Sequence, residues 1–210
     1  MRTGSRRRST PWSTDPVMPR IEPGSLLSLA AYARERGAIR ARVIDHKKQR
    51  TVHLGENLTL IFEDEQTIRY QVQEMLRIER IFEEGGIRGE LEAYNPLIPD
   101  GGNWKATMMI EYLEPEERRR RLAELKGIAE RVWVEVAGCS RVHAIADEDL
   151  ERENADKTSS VHFLRFELDA RMRVALKRGA GLAIGVDHPA YRASLEAAAP
   201  VRASLAGDLA

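Results

Sequence analysis

Cysteine is nearly absent: Cys139 is the single thiol in 210 residues. That excludes an intramolecular disulfide and any zinc site built from several thiolates, and it fits a reducing cytoplasm. Long apolar runs are also missing. The most hydrophobic stretches, such as LLSLAAYA at residues 26–33, fall well short of the ~18 to 20 residues that cross a bilayer, so no membrane partner is expected. Nor does charge of one sign dominate. Thirty-three basic residues stand against thirty-three acidic ones, which leaves no net field to draw the chain to nucleic acid.

Familiar catalytic spacings are absent too. None of His46, His53, His143, His162 and His188 has a glutamate three residues before it, which argues against a ferritin-like di-iron bundle. There is no Walker phosphate loop, no Gly-x-Ser-x-Gly elbow and no His-x-x-x-His pair. The glycines of GAGLAIG, residues 179–185, follow a helix and precede a strand, the reverse of a dinucleotide-binding turn. Gly179 reads instead as a helix C-cap.

What remains is an ordinary globular composition, 42% hydrophobic, enough for one domain with a sizeable core. Residues 1–22 carry Arg2, Arg6, Arg7, Arg8 and Arg20 among Ser, Thr and Pro and read as a disordered basic tail. Met18 is an alternative start. Residues 23–192 form the expected domain, and residues 193–210 an Ala-rich tail, a weak helix or frayed coil.

Within the domain, Ser25 is placed to cap a helix that breaks at Gly37 and ends in basic residues. TVHLGENLTLIFE alternates about Gly55-Glu56-Asn57 as a hairpin. Asp64 caps a second helix, TIRYQVQEMLRIERIFEE, which Gly85-Gly86 should stop. A short helix and a long fixed loop, AYNPLIPDGGNWK, lead to the strand NWKATMMIEY. Pro115 opens a charged helix. RVWVEVAG and RVHAIAD pair across Gly138-Cys139-Ser140, and a polar connection, residues 147–157, leads on to SSVHFLRFEL, which suits a central strand. A helix ending at Gly179 and a strand ending at His188 complete the pattern. Hairpins mixed irregularly with helices predict an α+β domain, a mainly antiparallel sheet with helices packed on it.

The second helix raises the main question. On a helical wheel Ile68, Val72, Met75, Leu76, Ile78 and Phe82 share a broad arc that also contains Gln71 and Glu79. A buried carboxylate is costly without a partner. An ion pair with Arg165 is one answer; a ligand or acid/base role is another. His162 shares a strand face with Leu164 and Phe166 and should point inward, while His188 closes a strand beside Asp187. Glu79, His162 and His188 together would suit iron, manganese or zinc, although no spacing demands it. In the loop, Tyr94, Asn95, Asn103, Trp104 and Lys105 either line a pocket or plug the sheet edge. The run Arg42, His46, Lys47, Lys48, Arg50 is a solvated helix end or, less simply, a phosphate or nucleic-acid contact.

The blocks TVHLGENLTLIFEDEQTIRYQVQEMLRIERIF, AYNPLIPDGGNWKATMMIEY, KTSSVHFLRFEL and GLAIGVDHPAY resemble the bacterial family catalogued as domain of unknown function 3501, over roughly residues 24–192. The resemblance implies a cytoplasmic protein without an assigned activity, encoded near rubrerythrin-like and iron–sulfur oxidoreductase proteins. It supplies no catalytic residue. Three readings follow: an accessory or binding protein in a redox setting, a metal-dependent enzyme using a Glu/His site, and, more weakly, a phosphate or nucleic-acid binder.

Overall fold

The structure is a computed structural model and describes residues 20–149 and 151–210. Nineteen residues of the expected basic tail therefore lie outside the described residues. The end of that tail does not behave as one: Ile21 is buried, and its backbone N–H and carbonyl are both held by the carboxamide of Asn95, at 2.9 and 3.2 Å.

In chain order the elements are α1 (Leu29–Lys48), β1 (Thr51–Leu54), β2 (Leu58–Phe62), α2 (Glu65–Ile78), α3 (Glu84–Tyr94), β3 (Asn103–Ile110), α4 (Pro115–Glu124) and β4 (Val132–Val136). Then follow β5 (Val142–His143), β6 (Ile145–Ala146), β7 (Val161–Glu167), α5 (Ala170–Lys177), β8 (Leu182–His188), β9 (Tyr191–Glu196) and α6 (Ala199–Ala206). Every strand pairing is antiparallel, in two sheets ordered β1-β2-β3-β7-β6 and β5-β4-β8-β9. The chain is thus α+β, as expected, with two antiparallel sheets among the described residues.

Period-2 alternation explains the core. Leu58, Leu60 and Phe62 of β2, Trp104, Ala106 and Met108 of β3, and Leu164 and Phe166 of β7 face Val132, Val134 and Val136 of β4 and Leu182, Ile184 and Val186 of β8 in one buried cluster. The outward residues of the same strands are freed for other work. A second cluster, Ile21, Ile68, Val72, Leu76, Leu91 and Ile98, joins α2, α3 and the loop beyond.

Several boundaries differ from those expected, each for a physical reason. Helix α1 is capped by Ser28, whose hydroxyl accepts from Ala31, and runs unbroken through Gly37 because its packing on α2 outweighs one weak helix former. Helix α2 begins as expected, with Asp64 and Thr67 forming a reciprocal capping box. It ends early, at Ile78. There Ile81 N–H returns to the Leu76 carbonyl at 2.9 Å, and Arg80 takes a left-handed φ of 57°. Gly85 and Gly86 instead lie in the first turn of α3.

The strand pair β4–β5 forms the expected hairpin, but β6, two residues later, crosses to the other sheet and pairs with β7. The C-terminal residues are not a frayed tail. Strand β9 completes a sheet, and α6 buries Leu205, with Leu209 also buried beyond it.

Candidate functional site

The early end of α2 removes the premise of a buried Glu79. That residue is the exposed C-cap, and Ile78 and Phe82 are 57% and 73% exposed. The buried face is set by Ile68, Val72 and Leu76, and it carries Gln73 and Glu74 instead. Gln71 is only half-buried, at the flank. Arg165 does not meet Glu79 either. Its guanidinium grips Glu148 with two bonds of 2.7 Å and also contacts Glu167.

The carboxylate that α2 does bury, Glu74, is saturated. It accepts from Arg36 twice at 2.8 Å, from Tyr32 at 2.7 Å and from Arg77 at 3.2 Å. The Arg36 bond in particular holds the Glu74 carboxyl down at about 2, against burial, which acts the other way. This network fastens α1 to α2. Every oxygen is engaged, so Glu74 is a structural hub.

The basic end of α1 is not simply solvated. Arg50 is 1% exposed, donating to the carbonyls of Phe62 and Glu63 at 2.8 and 3.0 Å, and to Ser204 and Asp208 of the C-terminal segment. His46 pairs with Asp64. Burial pushes the Asp208 carboxyl up, with the Arg50 guanidinium opposing. A cleft of about 540 Å³ opens beside Asp64, Glu65, Arg69 and Asp208, but its charged groups already pair with one another or with Arg50.

The two histidines of interest are also fully used. His162 places Nδ1 2.6 Å from Asp147 Oδ2 and Nε2 3.0 Å from the Ser159 carbonyl. The Thr158 hydroxyl also lies 3.0 Å from Nε2, so the ring is held at both nitrogens. His188 donates from Nε2 to the Lys126 carbonyl at 2.9 Å and accepts at Nδ1 from Ala190 N–H. Each ring straps a loop. Glu79, His162 and His188 are not brought together, and among the described residues no group of three His, Cys, Asp or Glu side chains is arranged to hold a metal.

The loop residues separate into props and a pocket. Trp104 is in the core, edge-on to Phe62 and donating to the Leu205 carbonyl at 2.9 Å. Tyr94 packs on the helical cluster, Asn95 ties down Ile21, and Asn103 bonds Asp100 and Glu167. Lys105 alternates with these inward groups and points outward, directly across from Arg165 on β7. Together with Phe163, Pro96, Leu97 and Glu148 they line a cavity of about 270 Å³ under the loop.

The electrostatics of that cavity are uneven. Like charges facing each other across two strands are unfavourable, and here Arg165 has taken both nearby carboxylates. The half-buried Lys105 has no hydrogen bond or ion pair among the described residues. Burial, reinforced by the Arg165 charge, draws its ammonium below the usual lysine value. Phe163 and Leu97 give this cavity an apolar wall beside the Lys105 ammonium.

The sequence singles out Lys105 as a residue that lines a pocket or plugs the sheet edge and Arg165 as a partner for Glu79; it does not single out Phe163, Leu97 and Glu148. The available signal was alternation, since a phenylalanine on the outward register of VHFLRFEL implies that something covers that face.

No curated protein matches the chain. A crystal structure at 1.90 Å of a protein from Burkholderia pseudomallei K96243, titled a novel protein of unknown function, is 55% identical to it, covering 91% of this chain and all of that one with a TM-score of 0.88. A family model described as "Protein of unknown function (DUF3501)" matches residues 20–209, so that the C-terminal strand and helix fall within it. The chain belongs to the DUF3501 family.

Proposed function

We propose that the protein is a small-molecule binding protein whose site is the Lys105 cavity. The observation that carries this reading is an ammonium with no hydrogen bond or ion pair among the described residues, in a cavity lined by Phe163 and Leu97. Desolvating a polar group without pairing it is costly, and a ligand oxygen would remove that cost. Glu148, Asp149 and Glu167 surround the two cations, so the site offers no net attraction to an anion. It suits an uncharged compound with an apolar body and one carbonyl oxygen.

Benzamide is a suitable probe because its carbonyl accepts a hydrogen bond and does not react with amines. Calorimetric titration should show saturable binding that Lys105→Met weakens by about tenfold, the loss of ~1.4 kcal/mol expected for one hydrogen bond to a charged donor. Equal affinity in wild type and variant would refute the assignment. Benzoate should bind no better than benzamide.

The physiological setting follows the resemblance: an accessory role in the cytoplasm beside rubrerythrin-like and iron–sulfur oxidoreductase proteins. Affinity capture under reducing conditions should recover such an oxidoreductase with the wild-type chain. Repeated capture without one would remove this part of the proposal.

A further inference from the structure

We propose that Lys105 is a reactive amine that condenses with small aldehydes held in its cavity, forming an imine. The inference rests on the binding reading above and adds a covalent step to it. Its basis is the arrangement around the Nζ atom. Six lysines occur in the chain, and Lys105 is the one set in the cavity opposite an arginine that two glutamates already occupy.

An amine attacks a carbonyl only through its unprotonated form. Two arrangements favour that form, removal from water and a neighbouring positive charge. Both are present at Lys105, and both draw its ammonium below the usual value. Phe163 and Leu97, which line the cavity with Lys105, would seat the aldehyde's body and bring its carbonyl carbon to Nζ.

The step balances without a co-reactant. The nitrogen lone pair forms a C–N bond while the carbonyl π pair moves to oxygen, which is protonated as nitrogen loses a proton through solvent at the cavity mouth. A proton from solvent turns the carbinolamine hydroxyl into water, which leaves as the nitrogen lone pair forms the C=N bond, and the remaining N–H proton returns to solvent. One aldehyde and one amine thus yield one imine and one water. No electron is gained or lost.

The test is reductive trapping of the full-length chain with benzaldehyde and sodium cyanoborohydride, followed by peptide mass mapping. Lys105 should acquire the benzyl group several-fold faster than Lys47, Lys48, Lys126, Lys157 and Lys177, and excess benzamide should protect it alone. Lys105→Arg, with circular dichroism confirming its fold, should remove the fast phase; benzamide protection in the wild type needs no variant. Labelling spread evenly over the surface lysines, or slowest at Lys105, would overturn the imine. Benzamide binding with Lys105 unlabelled would sink this inference and leave the binding site standing, whereas neither binding nor labelling would remove both.

Discussion

Glu74 shows how much one buried carboxylate can organise. Tyr32 and Arg36 come from α1 and Arg77 from its own helix, and the depressed carboxyl makes the network pH-dependent in a defined direction. A lowered folded-state pKa gives stability that is fully present above the ordinary value of 4.5 and is lost as pH falls through about 2. Urea denaturation of Glu74→Gln should therefore show lower stability than wild type at neutral pH, with the gap closing in acid; a gap independent of pH would argue against this carboxylate. Sequence patterning could show that α2 buries polar groups. It could not show which ones, because placing the wheel depends on where the helix ends, and that end is encoded by Arg80, a residue with no turn preference.

At the level of elements, two helix ends make a useful contrast. Helices α2 and α5 both close with a residue in the left-handed region and a six-to-one hydrogen bond, Ile81 to Leu76 and Ala180 to Ala175. Gly179 supplies that conformation at α5, and its role was legible in the sequence because glycine adopts it without steric cost. Arg80 does so at α2 against that cost. Arg80→Gly should accordingly raise stability by about 1 kcal/mol in chemical denaturation, and a loss of stability would mean the arginine makes an interaction that outweighs the strain. Gly37 is the converse case. Nothing lies within 4 Å of the position its Cβ would take, so Gly37→Ala within continuous α1 should stabilise by roughly 0.5 to 1 kcal/mol. The strands were the most readable part, since alternation alone sorts Trp104 inward and Lys105 outward.

For the whole molecule, the C-terminal segment acts as a clasp. Asp208 and Ser204 hold the Arg50 guanidinium, Leu205 accepts from Trp104, and the Ala210 N–H donates to Gly101 at 2.8 Å. Alanine richness in that segment concealed this, because the contacts join residues more than a hundred positions apart and leave no local pattern. Deleting residues 207–210 should destabilise the chain by about 3 kcal/mol, the low end of the cost of breaking a buried ion pair because Asp64 remains 3.4 Å from Arg50; an unchanged thermal midpoint would dismiss the clasp. The candidate site depends on the same scale of organisation, as β3, β7 and the loop after α3 meet only in the folded chain. The most direct measurement of the central claim is a ¹H–¹⁵N NMR titration of the whole chain with benzamide. Shift changes should concentrate at Leu97, Lys105, Phe163 and Arg165 and be strongly reduced in Lys105→Met. Changes centred on the Asp64–Asp208 cleft or on exposed Ile78 and Phe82, with the Lys105 cavity silent, would contradict it.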